Sequence, residues 1–133
     1  MAYPEITAAI RTIHRTDAPR HFMRIKPVDR QVRILRNGVV LADTSNALRL
    51  TEVGHDIYDP VFYIPQSDVI AELAALDGKS TYCPLKGDAC YWTLHGVEIA
   101  WMYDRPLSYG DELKGHIAFA ADEVSVEEHG PRA

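Results

Sequence analysis

Residues 31–43 read QVRILRNGVVLAD, and the reading of this stretch decides the fold. Val32 and Ile34 alternate with Arg33 and Leu35, a period of two that suits a strand with one buried face. Asn37-Gly38 follows. It is the strongest short hairpin signal, because both turn positions need positive φ, which Gly adopts freely and Asn tolerates. Residues 39–42 then return as the partner strand. A hairpin here commits the chain to a β architecture, and the flanking segments mostly keep the same period.

Upstream, HFMRIKP (21–27) is extended and ends at Pro27. Downstream, residues 46–53 read as a strand with Leu48 and Leu50 on one face and Arg49 and Thr51 on the other. Pro60 and Pro65 bracket VFYI, which reads as a short edge strand because proline cannot donate to a ladder. Residues 81–83 begin another strand and 89–94 form the next. His95-Gly96 turns the chain into VEIAWMY, where Val97, Ile99, Trp101 and Tyr103 share one face. The other face carries Glu98, Ala100, Met102 and Asp104. DRPLSYGDEL reads as a loop or one helical turn. HIAFA (116–120) and EVSVE (123–127) close the chain.

Two segments carry a helical period instead. ITAAIRTIHR places Ile6, Ala9, Ile10 and Ile13 on one side until Pro19 stops it. QSDVIAELAALDG (66–78) has Ser67 as N-cap, Asp68 at the positive helix end, and Val69, Ile70, Leu73 and Leu76 as an apolar stripe ending at Gly78. The expected fold is therefore mainly β (α+β). It has eight or nine short strands with one or two short helices, arranged as a pair of antiparallel sheets or an open barrel. Residues 1–20 would form an N-terminal arm or short helix, and residues 21–133 a single β-rich domain.

The chain has 133 residues and a net charge of −5, an acidic balance that argues against duplex nucleic acid as a partner. No stretch could span a bilayer, so no membrane partner is expected. Two cysteines cannot staple a secreted scaffold, and the first residues lack the apolar core of a leader peptide; the expected location is the cytoplasm, with both thiols reduced. A homodimer fits the pattern as well as a monomer does.

The chemistry-bearing types concentrate in TYCPLKGDACYWTL (81–94). Cys83 precedes Pro84 and lies three residues before Lys86, whose ammonium would favour a thiolate. Cys83 as nucleophile or redox thiol, with Lys86 stabilising it or a developing anion, are the catalytic candidates. Cys90 lies inside a strand and reads as core. Lys86-Gly87-Asp88-Ala89 lacks the last glycine of the Lys-x-Asp-Gly pattern used in covalent nucleotidyl transfer. Zinc usually takes cysteine or histidine ligands in closely spaced pairs. Here two lone cysteines stand seven apart among scattered histidines, so no metal site and no cofactor are expected. Aromatic rings crowd residues 58–103, and several rings converging with a few polar groups make an orienting pocket.

These residues carry a resemblance. VVLADTS (39–45), LRLTE (48–52), VFYIPQSDV (61–69), TYCPLKGDACYW (81–92), IAWMYDRP (99–106) and GHIAFA (115–120) resemble, in order, the bacterial and fungal family called domain of unknown function 427, which also bears a nucleotidyltransferase label. The resemblance covers roughly residues 21–127. It implies a β-tent-like fold of two antiparallel sheets. Relatives of that architecture include zinc-bearing, aromatic-caged ligand binders and methionine sulfoxide reductases, whose zinc cysteines this chain lacks. It also implies that Thr81, Cys83, Pro84, Lys86, Gly87, Tyr91 and Trp92 form one family block, Tyr63, Pro65 and Asp68 a second, and Trp101 and Tyr103 a third. Leu85 and Ala120 stand where the family often carries aromatic residues.

The leading reading is a small-molecule-binding domain with its pocket near the Cys-Pro-x-Lys-Gly turn. Its ligand, of unknown identity, would meet Tyr63, Asp68, Thr81, Tyr91, Trp92, Trp101 and Tyr103. The alternatives are an enzyme using Cys83, or nucleotidyltransferase-like activity on a phosphorylated metabolite. A domain that only presents a sheet edge to a partner is a third reading. Tyr91 and Trp92 are adjacent on one strand, so only one can share a face with Trp101.

Overall fold

The computed structural model describes residues 11–130. The strands are β1 (Ile13–Arg15), β2 (Ala18–Pro27), β3 (Gln31–Arg36), β4 (Val39–Thr44), β5 (Leu48–Val53) and β6 (Val61–Pro65). After a 3₁₀ turn at Gln66–Asp68 come β7 (Ala74–Cys83), β8 (Gly87–Leu94) and β9 (Val97–Pro106). A 3₁₀ segment at Ser108–Leu113 leads to β10 (His116–Phe119) and β11 (Ser125–His129). Eight strands form one antiparallel sheet in the order β1-β2-β5-β6-β10-β9-β8-β7, and three form a second in the order β11-β3-β4. Among the described residues the large sheet does not close: β1 and β7 are its free edges. No helix there is long and apolar enough to cross a membrane.

The Asn37–Gly38 hairpin joins β3 to β4, with both residues at positive φ (51° and 78°). His95-Gly96 does the same between β8 and β9, at 51° and 80°. Period-two alternation then distributes the apolar residues. Ile64, Met102, Ile117 and Phe119 face one side of the large sheet, where Val32, Ile34, Leu41 and Ala42 of the small sheet cover them. Their chain neighbours Tyr63, Tyr103 and Ala118 face the opposite side, joining Met23, Leu50, Leu85 and Leu113. The large sheet thus has two packed faces, one aliphatic and roofed by the second sheet, the other aromatic.

Three expectations are corrected. Residues 66–78 do not form a helix. After the 3₁₀ turn the chain runs extended, the N–H groups of Ile70 and Ala71 both donate to the Leu41 carbonyl, and residues 74–83 pair with β8. An isolated helix of this length is marginal in water. The ladder on β8, and the packing of Val69, Ala71 and Leu73 on the aliphatic cluster, replace it. Second, VFYI is no edge strand: β6 lies between β5 and β10, and its prolines sit at or beyond its ends, where no ladder bond is lost. Third, β9 does not alternate cleanly. Trp92 pairs with Ala100 and Thr93 with Glu98, which leaves Ile99 as the extra residue of a bulge, and Ile99 packs in the aliphatic cluster beside Ala100. The first helical segment lies largely outside the described residues; Ile13–Arg15, at its end, is a strand on β2.

Candidate functional site

The aromatic face holds a buried polar cluster. Glu52 sits on β5 two residues beyond Leu50, so alternation turns its carboxylate to the same side, and it is buried there. β2 pairs antiparallel with β5, Phe22 opposite Val53 and Met23 opposite Glu52, which brings His21 alongside. Lys86 arrives from the turn between β7 and β8. That turn is tightly pinned. Gly87 has φ +113°, and a Cβ there would meet the Arg105 carbonyl oxygen and the Leu107 nitrogen at 2.6 Å. A Cβ on Gly110 would meet the Lys86 carbonyl oxygen at 2.7 Å. Only glycine allows both approaches. The Leu107 N–H donates to the Lys86 carbonyl at 2.9 Å, and the Lys86 N–H donates to Cys83 Sγ at 3.4 Å.

Lys86 Nζ lies 2.5 Å from Glu52 Oε1, and His21 Nε2 lies 2.6 Å from Glu52 Oε2. The Glu52 and Lys86 side chains are only 10 % and 12 % exposed, so the pair is almost out of water. Burial disfavours the Glu52 carboxylate, but Lys86 and His21 outweigh it and its pKa falls below the ordinary value. Burial likewise disfavours the Lys86 ammonium, but Tyr63 and Glu52 outweigh it and its pKa is raised. Burial pushes the Tyr63 and Tyr103 phenols up, so both are neutral near pH 7, where Glu52 is the anion that Lys86 meets.

Two hollows flank this cluster. One, of about 360 Å³, is lined by the rings of Tyr63, Tyr91, Trp101 and Tyr103, with Glu52 and Lys86 among its polar groups. Ala120 also lines it, where a larger side chain would fill space. Trp101 Nε1 donates to the Tyr63 hydroxyl at 3.3 Å, and Lys86 Nζ lies 5.4 Å from the Tyr103 ring centre. The other hollow, of about 900 Å³, is lined by His21, Cys83 and Pro84 and shares Glu52, Tyr58, Val61 and Lys86 with the first.

The structure therefore brings together Cys83, Lys86, Tyr63, Tyr91, Trp101 and Tyr103. Tyr91 pairs with Trp101 across β8 and β9 and is the residue of its pair that joins this face. Thr81 stands at the rim, sharing a 2.6 Å hydrogen bond with the Tyr91 hydroxyl. Trp92 points the other way into the aliphatic cluster, its Nε1 buried with no acceptor among the described residues. Asp68 is also remote from the rings: it accepts from the Thr44 hydroxyl at 2.7 Å, tying the 3₁₀ turn to β4.

Sequence reasoning did not single out Glu52 or His21 as site residues. Glu52 had a readable signal, an acid continuing the Leu48–Leu50 face of a strand. His21 had none, because its neighbour lies across a strand pairing 31 positions away. The donor atoms of His21, Glu52 and Cys83 all lie within 4.8 Å of one another. A search for closely spaced cysteines and histidines does not find such a group.

Residues 24–130 match the family described as domain of unknown function (DUF427), whose short name carries a nucleotidyltransferase label, and the chain belongs to that family. No curated protein matches it.

Proposed function

We propose that this member of the domain of unknown function 427 family binds a small planar or cationic molecule in the hollow bounded by Tyr63, Tyr91, Trp101 and Tyr103. The observation that carries the reading is five rings, those four and Tyr58, around one hollow of about 360 Å³ with the Glu52–Lys86 pair in its wall. Ring faces hold planar groups by stacking and cations by their quadrupole, with each contact contributing roughly 0.5–2 kcal/mol. Glu52 and Lys86, held by each other and by the backbone, present a fixed acceptor and a fixed donor to orient the ligand.

The test is a screen of planar metabolites, nucleotides included, against the whole chain, read by unfolding temperature and tryptophan emission. A ligand that binds only the folded state at a hundred times its Kd adds about 2.7 kcal/mol to stability. The shift is expected to vanish in Ala120→Trp, which fills the hollow. A screen that moves neither signal, or a shift that survives in a folded Ala120→Trp chain, sinks the reading.

A second reading rests on Cys83, which lines the larger hollow three residues before the pinned Lys86. A nucleophilic thiol would titrate well below about 8.5 in alkylation experiments. Nucleotidyl transfer through Lys86 is less well supported. An attacking amine must be neutral, whereas Lys86 is paired with Glu52 and its pKa is raised.

A further inference from the structure

The larger hollow adds His21 and Cys83 to the Glu52 carboxylate that it shares with the ring-lined pocket. His21 comes from β2, Glu52 from β5 and Cys83 from the end of β7, so three strands converge on one point. Their donor atoms, one nitrogen, one oxygen and one sulfur, lie within 4.8 Å of one another. Zinc bonds of about 2.0–2.3 Å place tetrahedral donors roughly 3.4 Å apart. The present His21–Glu52 separation of 2.6 Å must therefore open slightly and the sulfur draw in, both within reach of side-chain rotation. Glu52 is divided between two tasks. Oε1 is held by Lys86, while Oε2 faces His21 and is the oxygen a metal would take. A lysine on the far oxygen orients the carboxylate as a second-shell donor, though its charge weakens cation binding.

We propose that His21, Glu52 and Cys83 form a site for a borderline-soft divalent cation, with three protein ligands and a fourth position open to the larger hollow. A nitrogen, oxygen and thiolate set suits Zn²⁺ and its spectroscopic substitute Co²⁺ rather than Mg²⁺ or Ca²⁺, which take oxygen ligands. Binding replaces the His21–Glu52 hydrogen bond, moves the imidazole N–H from Nε2 to Nδ1 so that Nε2 can ligate, and releases the thiol proton of Cys83 to solvent. The metal, the thiolate and the carboxylate then balance in charge, with His21 neutral. This site goes beyond the aromatic pocket: the two share Glu52, but none of the rings supplies a ligand and no part of the metal's binding requires the ring-lined hollow to be filled.

The experiment uses the whole chain, reduced and stripped of metal, titrated with Co²⁺ and then with Zn²⁺. The expected result is one metal per chain and a sulfur-to-cobalt charge-transfer band in the near ultraviolet, displaced by Zn²⁺. Cys83→Ser is expected to lose the band, Cys90→Ser to keep it, and His21→Ala to weaken binding by at least about tenfold. Thermal unfolding confirms that each variant folds; if Cys83→Ser does not, His21→Gln serves in its place. No stoichiometric binding, a band that follows Cys90, or affinity indifferent to His21 and Cys83 overturns the site. Failure here leaves the metabolite screen unaffected, because that screen reads Trp101 and Ala120.

Discussion

Tyr63 and Ile64 are neighbours on one strand and face two different environments. Ile64 enters a dry aliphatic layer between the two sheets, with Ile117, Phe119, Val32 and Leu41 around it. Tyr63 enters a face that carries rings, a buried ion pair and two hollows. The two tryptophans divide in the same way. Trp92 uses its indole in packing and its N–H has no acceptor among the described residues, while Trp101 donates to Tyr63. A roofed face must be apolar, because nothing there can satisfy a polar group. An unroofed face can hold charge, provided that partners are built in.

The sharpest way to break the contrast is to orphan a charge on the aromatic face. Lys86→Met leaves the Glu52 carboxylate buried beside His21 alone, and is expected to cost about 3–4 kcal/mol in chemical denaturation. The double variant Lys86→Met with Glu52→Leu should return to within about 1 kcal/mol of the parent, since an apolar pair replaces an ion pair at little net cost. If the double variant is as unstable as the single, the ion pair itself, and not the orphaned charge, carries the stability.

The aliphatic face should answer differently. Ile64 is fully buried, and Ile64→Ala is expected to cost about 3 kcal/mol through lost burial and a cavity. That loss should be the same across neutral and mildly acidic pH, because the Cys90 thiol packed on the same cluster has its pKa raised by burial and stays protonated there. A pH-dependent loss would mean that the two faces are coupled.

Alkaline pH should act chiefly on the aromatic face, with the raised Cys90 thiol contributing from the aliphatic cluster. Tyr63 and Tyr103 have folded pKa values raised above the ordinary 10.0. The stability tied to a raised pKa is fully present below the unfolded value and is lost as pH rises through the folded one. The denaturation midpoint should therefore begin to fall near pH 10.0, and the raised pKa of Lys86 adds to the fall in the same direction. Tyr63→Phe should flatten part of this slope; an unchanged slope would remove Tyr63 as its source.

The smallest effect belongs to Trp92→Phe. No hydrogen bond to a described residue is lost there, so the change should stay within about 1 kcal/mol of the parent. A much larger loss would show that the indole N–H has an acceptor in solution.

How far each feature was legible depends on the range of its cause. The hairpins at Asn37–Gly38 and His95–Gly96 were readable because positive φ at two adjacent residues is a local demand. The sheet pair and the clustering of Cys83 and Lys86 with several rings were readable from alternation and short turns. The 66–78 segment misled because its apolar spacing suits a helix, while its backbone groups are claimed by Leu41 and β8, partners invisible to a local window. The edge reading of β6 failed for a related reason: prolines at a strand's ends do not tell which strands lie beside it.

The sequence by itself determined that the chain is built of antiparallel strands, where most of them lie, and which residue types gather in the turn after Cys83. Those follow from φ preferences and from the two-residue period of side-chain direction, both properties of adjacent residues. Only the tertiary structure decided that Tyr91 rather than Trp92 meets Trp101, that Glu52 closes on Lys86, and that His21 and Cys83 reach the same carboxylate. Each of these depends on strand register and on a bulge, and register is set by burial across the whole sheet rather than by any one segment.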